Sequence, residues 1–236
     1  MKDITELAVQ ERRLFEMDVI PFRALITASN ISVLKDQFVF KSIELAEDES
    51  KNLIGLTMQT GEIKNEGKVY PIETLIIDRR SITFRIYSNS SIAKMFYNLI
   101  AEKISNADPS NLFQKDKYLI KTMETSCAVA LDFNHKDIFA KKINVFLNKK
   151  ATKLCSSAIN EAANITIAPR AVTFSVDYAI TDKKLLDNKI SITSKLLTLE
   201  PRIGTNLKSN RFFTSSPTDS TTHLNLLKEF EALFKQ

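Results

Sequence analysis

The chain has 236 residues, 44% of them hydrophobic and 26% charged, with 4 glycines and no tryptophan; this composition fills a core and excludes a disordered or fibrous protein. The formal charge of +5 permits contact with nucleic acid or an anionic surface without requiring it. No apolar run approaches membrane-spanning length, and the opening Met1-Lys2-Asp3-Ile4-Thr5-Glu6 lacks the apolar stretch of a signal peptide, so the expectation is a cytoplasmic protein without membrane contact.

In chain order, residues Ile4 to Phe15 read as a short helix within a lead segment, 1–16. Met17 to Thr27 has the apolar, β-branched content of a strand, with Pro21 pointing to an edge or a bulge. A short helix is expected over Asn30 to Phe38 and a loop over the acidic stretch Glu44 to Glu49. Leu53 to Thr60 and Lys68 to Ile77 bracket Lys64-Asn65-Glu66-Gly67, which predicts a hairpin turned by Gly67. In Ser81 to Tyr87, the apolar Ile82, Phe84 and Ile86 alternate with Thr83 and Arg85, the pattern of a half-buried strand.

From Ser90 the period becomes helical, with Ile92, Met95, Phe96, Leu99, Ile100 and Ile104 on one face and Ser90 or Ser91 as the N-cap. Tyr118 to Phe133 reads as a long strand or a bent pair, and an apolar stripe through Phe139, Ile143, Phe146 and Leu147 predicts a helix from Asn134. Strands are expected over Asn164 to Ile180, Lys189 to Leu199 and Arg211 to Ser215. A last helix starts at Asp219 or Ser220, with His223, Leu227, Phe230 and Phe234 on one face.

The predicted fold class is therefore α+β, with largely antiparallel sheet covered on one face by helices. Two units of the order strand, helix, strands, helix are expected over 17–108 and 118–236, joined by 109–117 and packed as one globular body. They share a phrase, Ile77-Asp-Arg-Arg-Ser-Ile-Thr-Phe-Arg-Ile86 against Ile167-Ala-Pro-Arg-Ala-Val-Thr-Phe-Ser-Val176, which suggests an internal duplication. This order of elements is similar to the tandem helix-on-sheet arrangement of the TATA-binding-protein-like folds. The resemblance implies a fold and no function, because none of that family's DNA-reading residues has a counterpart in this sequence.

Residues suited to catalysis are scarce. The two histidines, His135 and His223, and the two cysteines, Cys127 and Cys155, form no recognised metal or nucleophile motif; both cysteines are expected as free thiols and His223 as a packed histidine. Gly55, Gly61, Gly67 and Gly204 stand apart, so no phosphate-binding loop is formed, and no cofactor or metal is expected. Asp48, then Glu62-Ile63-Lys64 across a strand, has the acid, acid-x-Lys order of a Mg²⁺-dependent nuclease. Six lysines, Lys136, Lys141, Lys142, Lys149, Lys150 and Lys153, against the single acid Asp137 give one segment a net charge of +5, a surface suited to phosphates.

Three functions follow, in this order of preference. The first is a non-enzymatic binding or assembly protein, contacting a protein partner or a second copy through its sheet or an edge strand. The second is a nucleic-acid-binding accessory protein using the lysine-rich helix 134–153, and the third is the nuclease built on Asp48, Glu62 and Lys64.

Overall fold

The computed structural model describes residues 1–133, 138, 145, 171–202 and 210–234. In chain order it contains β1 (Lys2–Leu14), α1 (Phe22–Leu25), α2 (Ala28–Phe38), β2 (Ser42–Glu47), β3 (Leu53–Asn65), β4 (Lys68–Asp78), β5 (Ser81–Ile86) and α3 (Ser90–Asn106). There follow β6 (Ile120–Ala130), β7 (Val172–Val176), α4 (Lys183–Asp187), β8 (Lys195–Pro201), β9 (Arg211–Ser216) and α5 (Ser220–Ala232). The architecture is α+β: among the described residues, nine strands form one open sheet in the order β2-β3-β4-β5-β1-β6-β9-β8-β7, and every neighbouring pair is antiparallel. Among the described residues, no helix is long and apolar enough to cross a membrane.

The first correction to the sequence reading concerns β1, expected as a helix. It lies at the centre of the sheet, with Val9 across from Ile86 of β5 on one side and Thr125 of β6 on the other. Ile4, Leu7, Ala8 and Leu14 fit a helical period, and the charged Glu11 and Arg13 on the strand's buried side remove the apolar alternation that marks a half-buried strand. Val9, Glu11, Arg13 and Phe15 are all buried, and so are Ala8 and Leu14.

The next segment exchanges roles in the opposite sense. Met17 to Thr27, expected as a strand, is a turn followed by the single-turn α1, whose Phe22 and Leu25 are buried. Pro21 precedes that turn and has no N–H to give to a sheet. Of the acidic stretch Glu44 to Glu49, expected as a loop, Glu44 to Glu47 belong to a strand, β2, exposed along most of its length.

The predicted hairpin is present and longer than expected, with Asn65 across from Lys68. Glu66 and Gly67 both take positive φ, 48° and 75°, as the two central residues of a tight hairpin turn require. In β5, Ile82, Phe84 and Ile86 are fully buried. The cap of α3 is Asn89 rather than Ser90 or Ser91: its Oδ1 accepts from the backbone N–H of Ser91 at 3.0 Å and of Ile92 at 3.1 Å.

Tyr118 to Phe133 contains a single strand, β6, and the expected strand over Lys189 to Leu199 begins only at Lys195. The helix expected from Asn134, together with Ile167 to Arg170 of the shared phrase, falls outside the described residues. Of that phrase, one copy ends on β5, beside central β1, while the described part of the other is β7, at the sheet edge.

Two buried clusters form the core. The larger joins β1 and β3 to β5 with the helices α1 to α3, and at its middle the Phe96 ring meets Phe38 and Phe84 edge-on, each at 5.1 Å between centroids. The smaller gathers Cys127, Val129, Phe133, Leu199, Phe212 and Leu227, with Phe230 of the last helix and Phe234 just beyond it packed against them.

Candidate functional site

Alternation along β1 sends Gln10, Arg12 and Leu14 to the side of the sheet opposite Glu11 and Arg13. The register places Arg12 across from Thr83 of β5 and Thr122 of β6, and Gln10 across from Arg85 and Glu124. Directly opposed residues share a side, so the central strands present a hydroxyl-rich, charged surface there.

The β4–β5 turn adds Arg80 to it. The Asp78 carboxylate accepts from the backbone N–H of Arg80 at 2.7 Å, and from the N–H and hydroxyl of Ser81, each at 2.6 Å. The Arg80 carbonyl in turn accepts from the Phe15 N–H at 2.7 Å. Its neighbour Arg79 turns outward to Asp18, 2.6 Å away.

A second wall comes from the connection between β7 and β8. Lys184 pairs with Glu16 beyond the end of β1 at 2.7 Å, and Ile190 is buried. Residues from Lys189 to Thr193, with Lys195, bound a cleft of about 660 Å³ whose other side is formed by Arg12, Leu14, Asp78, Arg80, Thr83, Ile120 and Thr122. That volume falls in the range of small-molecule sites.

The cleft is electropositive: Arg12, Arg80, Lys189 and Lys195 face it, against Asp78 and Glu124. Glu124 lies 3.5 Å from Lys195, and Asp78 is engaged by the turn. Three buried side-chain atoms among the described residues have no hydrogen-bond partner: Glu11 Oε2, Arg80 Nε and Arg85 Nε. Glu11 Oε2 lies 3.3 Å from Lys121 and Arg85 Nε 2.9 Å from Glu73, so both are charge-compensated. Arg80 Nε alone of the three has no opposite charge recorded beside it among the described residues.

Cys127 and His223 meet beneath α5, with Sγ 3.6 Å from Nε2. Thr214 Oγ1 lies 2.9 Å from the same nitrogen and Ser216 Oγ 2.7 Å from Nδ1, so the ring is hydrogen-bonded on both edges. Burial lowers the imidazole to a pKa of about 4 and pushes the Cys127 thiol up, against an opposing hydrogen bond from Thr214. At neutral pH both groups are uncharged, which disfavours the thiolate a cysteine nucleophile needs.

The nuclease candidates are not gathered in one place. Asp48 sits in the β2–β3 turn, accepting the N–H groups of Ser50 and Asn52 at 2.9 Å each. Glu62 and Lys64 pair at 3.5 Å near the other end of β3, and the strand from Leu53 to Glu62 covers about 30 Å. Among the described residues, no three or more His, Cys, Asp or Glu side chains form a group able to hold a metal. Lys136, Lys141, Lys142, Lys149, Lys150 and Lys153, like His135 and Cys155, lie outside the described residues.

Among the described residues, the strands at the two ends of the sheet differ in chemistry. β2 carries Glu44 and Glu47, whereas β7, Val-Thr-Phe-Ser-Val, has no charge and no proline. Phe174 of β7 is 53% exposed and Leu196 of β8 54%. An apolar groove of about 410 Å³ runs from Phe174 and Leu197 to Leu226 and Leu233 beside α5.

Sequence reasoning did not single out Arg12 or Arg80. The first lay within the segment read as a helix, and the second was noticed only as part of the shared phrase. The available signal was Asp78-Arg79-Arg80-Ser81 between two alternating strands, a turn that must place one arginine on each side. No protein-family model matches the chain, and no curated protein or solved structure shows significant similarity to it.

Proposed function

We propose that this is a binding protein and that β7 is the edge on which a protein partner adds an extended strand. The observation that supports this is the chemistry of β7. Sheet edges are normally protected by charge, proline or cover, and this one is uncharged and β-branched, with Phe174 and Leu196 exposed at its level. Main-chain hydrogen bonds would supply affinity, and the apolar groove beside α5 would receive the partner's side chains.

The finer reading of the fold, tandem units with helices on one face, draws support from the strand order. β1 and β6 are adjacent at the centre, β5 and β9 lie outside them, then β4 and β8. α3 follows β5 as α5 follows β9, and Ser90 and Ser220 in their first turns hydrogen-bond at 3.0 Å between hydroxyls.

The test is light scattering on the full chain alone and on complexes recovered from a native preparation, repeated with Phe174→Lys. The expected result is a defined assembly, hetero-oligomeric with the partner, weakened about tenfold or more by the added edge charge. A strictly monomeric chain with no partner, or an assembly indifferent to Phe174→Lys, overturns the reading. A homodimer alone would replace the partner strand with a second copy.

A further inference from the structure

We propose that the cleft over β1, β5 and β6 binds a small phosphate monoester, with Arg80 and Arg12 holding the phosphate and Leu14, Ile120 and Ile190 receiving an apolar or aromatic body. The inference goes beyond strand addition at β7, which uses a different part of the sheet.

The starting point is Arg80. A buried guanidinium N–H without an acceptor is a costly arrangement, and folded proteins complete such a group with an ordered water, an ion or a ligand. Here the backbone on both sides of the side chain is fixed, by Asp78 below and by the Phe15 N–H on its carbonyl. The side chain lines the cleft with Nε buried and unpartnered among the described residues. An oxyanion is the group that matches it, and arginine's planar fork favours one with several equivalent oxygens.

Charge selects among oxyanions. Four cationic side chains face the cleft against two carboxylates, leaving the lining two charges positive. A phosphate monoester, close to a dianion at neutral pH, balances that; a carboxylate leaves one charge over. Hydroxyls of Thr83 and Thr122 supply donors around the same space. The volume of about 660 Å³ suits a small molecule. Apolar side chains at Leu14 and Ile190, both buried, give the ligand's body a place away from water.

Phenyl phosphate is the probe, titrated calorimetrically into the full chain alongside benzoate and a single-stranded oligonucleotide. Phenyl phosphate should saturate at one site, tighten as pH rises through about 6 where the monoester gains its second charge, and bind several-fold more tightly than benzoate. Arg80→Gln and Arg12→Gln should each weaken it about tenfold, with folding checked by thermal melting, and Lys68→Gln at the β3–β4 turn should leave it unchanged. Phe174→Lys should also bind normally, so failure at the edge and failure in the cleft are separable. Absence of saturable binding, or equal binding by folded Arg80→Gln, overturns the proposal. So does an oligonucleotide that binds with a steep salt dependence while phenyl phosphate does not, which would assign the cleft to nucleic acid.

Discussion

Glu11 and Arg13 are charged residues on a strand, yet both are buried, with Arg13 Nε 2.6 Å from Glu11 and the guanidinium 3.3 Å above the Tyr97 ring. Burial raises the Tyr97 hydroxyl to about 12, against the opposing pull of Arg13. Removing one member of such a set leaves an uncompensated buried charge, so Glu11→Ala should cost about 3–5 kcal/mol in urea unfolding, while Glu11→Leu with Arg13→Met should recover most of it. His223 gives a pH signature. Its folded pKa of about 4 lies below the ordinary 6.5, so between those values the unfolded chain binds more protons and stability falls as pH falls. The loss should reach about 3 kcal/mol by pH 4 and be absent above about 6.5. Denaturation curves across that window should flatten for His223→Gln. The burial of His223 was legible from its place on the apolar face of the last helix, whereas nothing about Glu11 or Arg13 says that a strand will carry them inward.

Secondary structure was legible where one side of an element meets water. α3, α5, β5 and the β3–β4 hairpin match their expected positions because solvent keeps their polar residues in register with the fold. β1 was misread because its buried side carries Glu11 and Arg13 next to Val9, so the apolar alternation of a half-buried strand is missing. β2 was misread because its acidic, exposed residues look like a loop when no partner strand is in view. Gly61 shows packing that only the assembled strands create: a Cβ there would stand 2.6 Å from the Phe40 ring and 2.8 Å from the Phe38 carbonyl. Gly61→Ala should therefore destabilise the protein by about 1–3 kcal/mol, read from the shift in a chemical denaturation midpoint at unchanged slope.

Among the described residues, β1 is the only strand that pairs with both β5 and β6. Its contacts with residues 81–86 and 120–130 are therefore what join the two groups of strands into one sheet. Deleting residues 1–14 should leave a chain without cooperative thermal unfolding, seen by circular dichroism; a sharp transition near that of the intact protein would mean that the two groups hold together without it. The cleft depends on the same arrangement. Arg12 from β1, Arg80 from the β4–β5 turn and Lys189 from the β7–β8 connection are far apart in sequence and meet only once the sheet is complete.

By itself the amino-acid sequence determined that the chain is α+β, where the long amphipathic helices begin and where the hairpin turns, because propensity, capping and alternation act over a few neighbouring residues. Tertiary structure alone decided that residues 2–14 form the central strand, that one of two adjacent arginines faces a cleft, and that, among the described residues, an uncharged strand is the last of the sheet. Those outcomes depend on which strands become neighbours, a matter of long-range pairing and burial that local patterns do not encode.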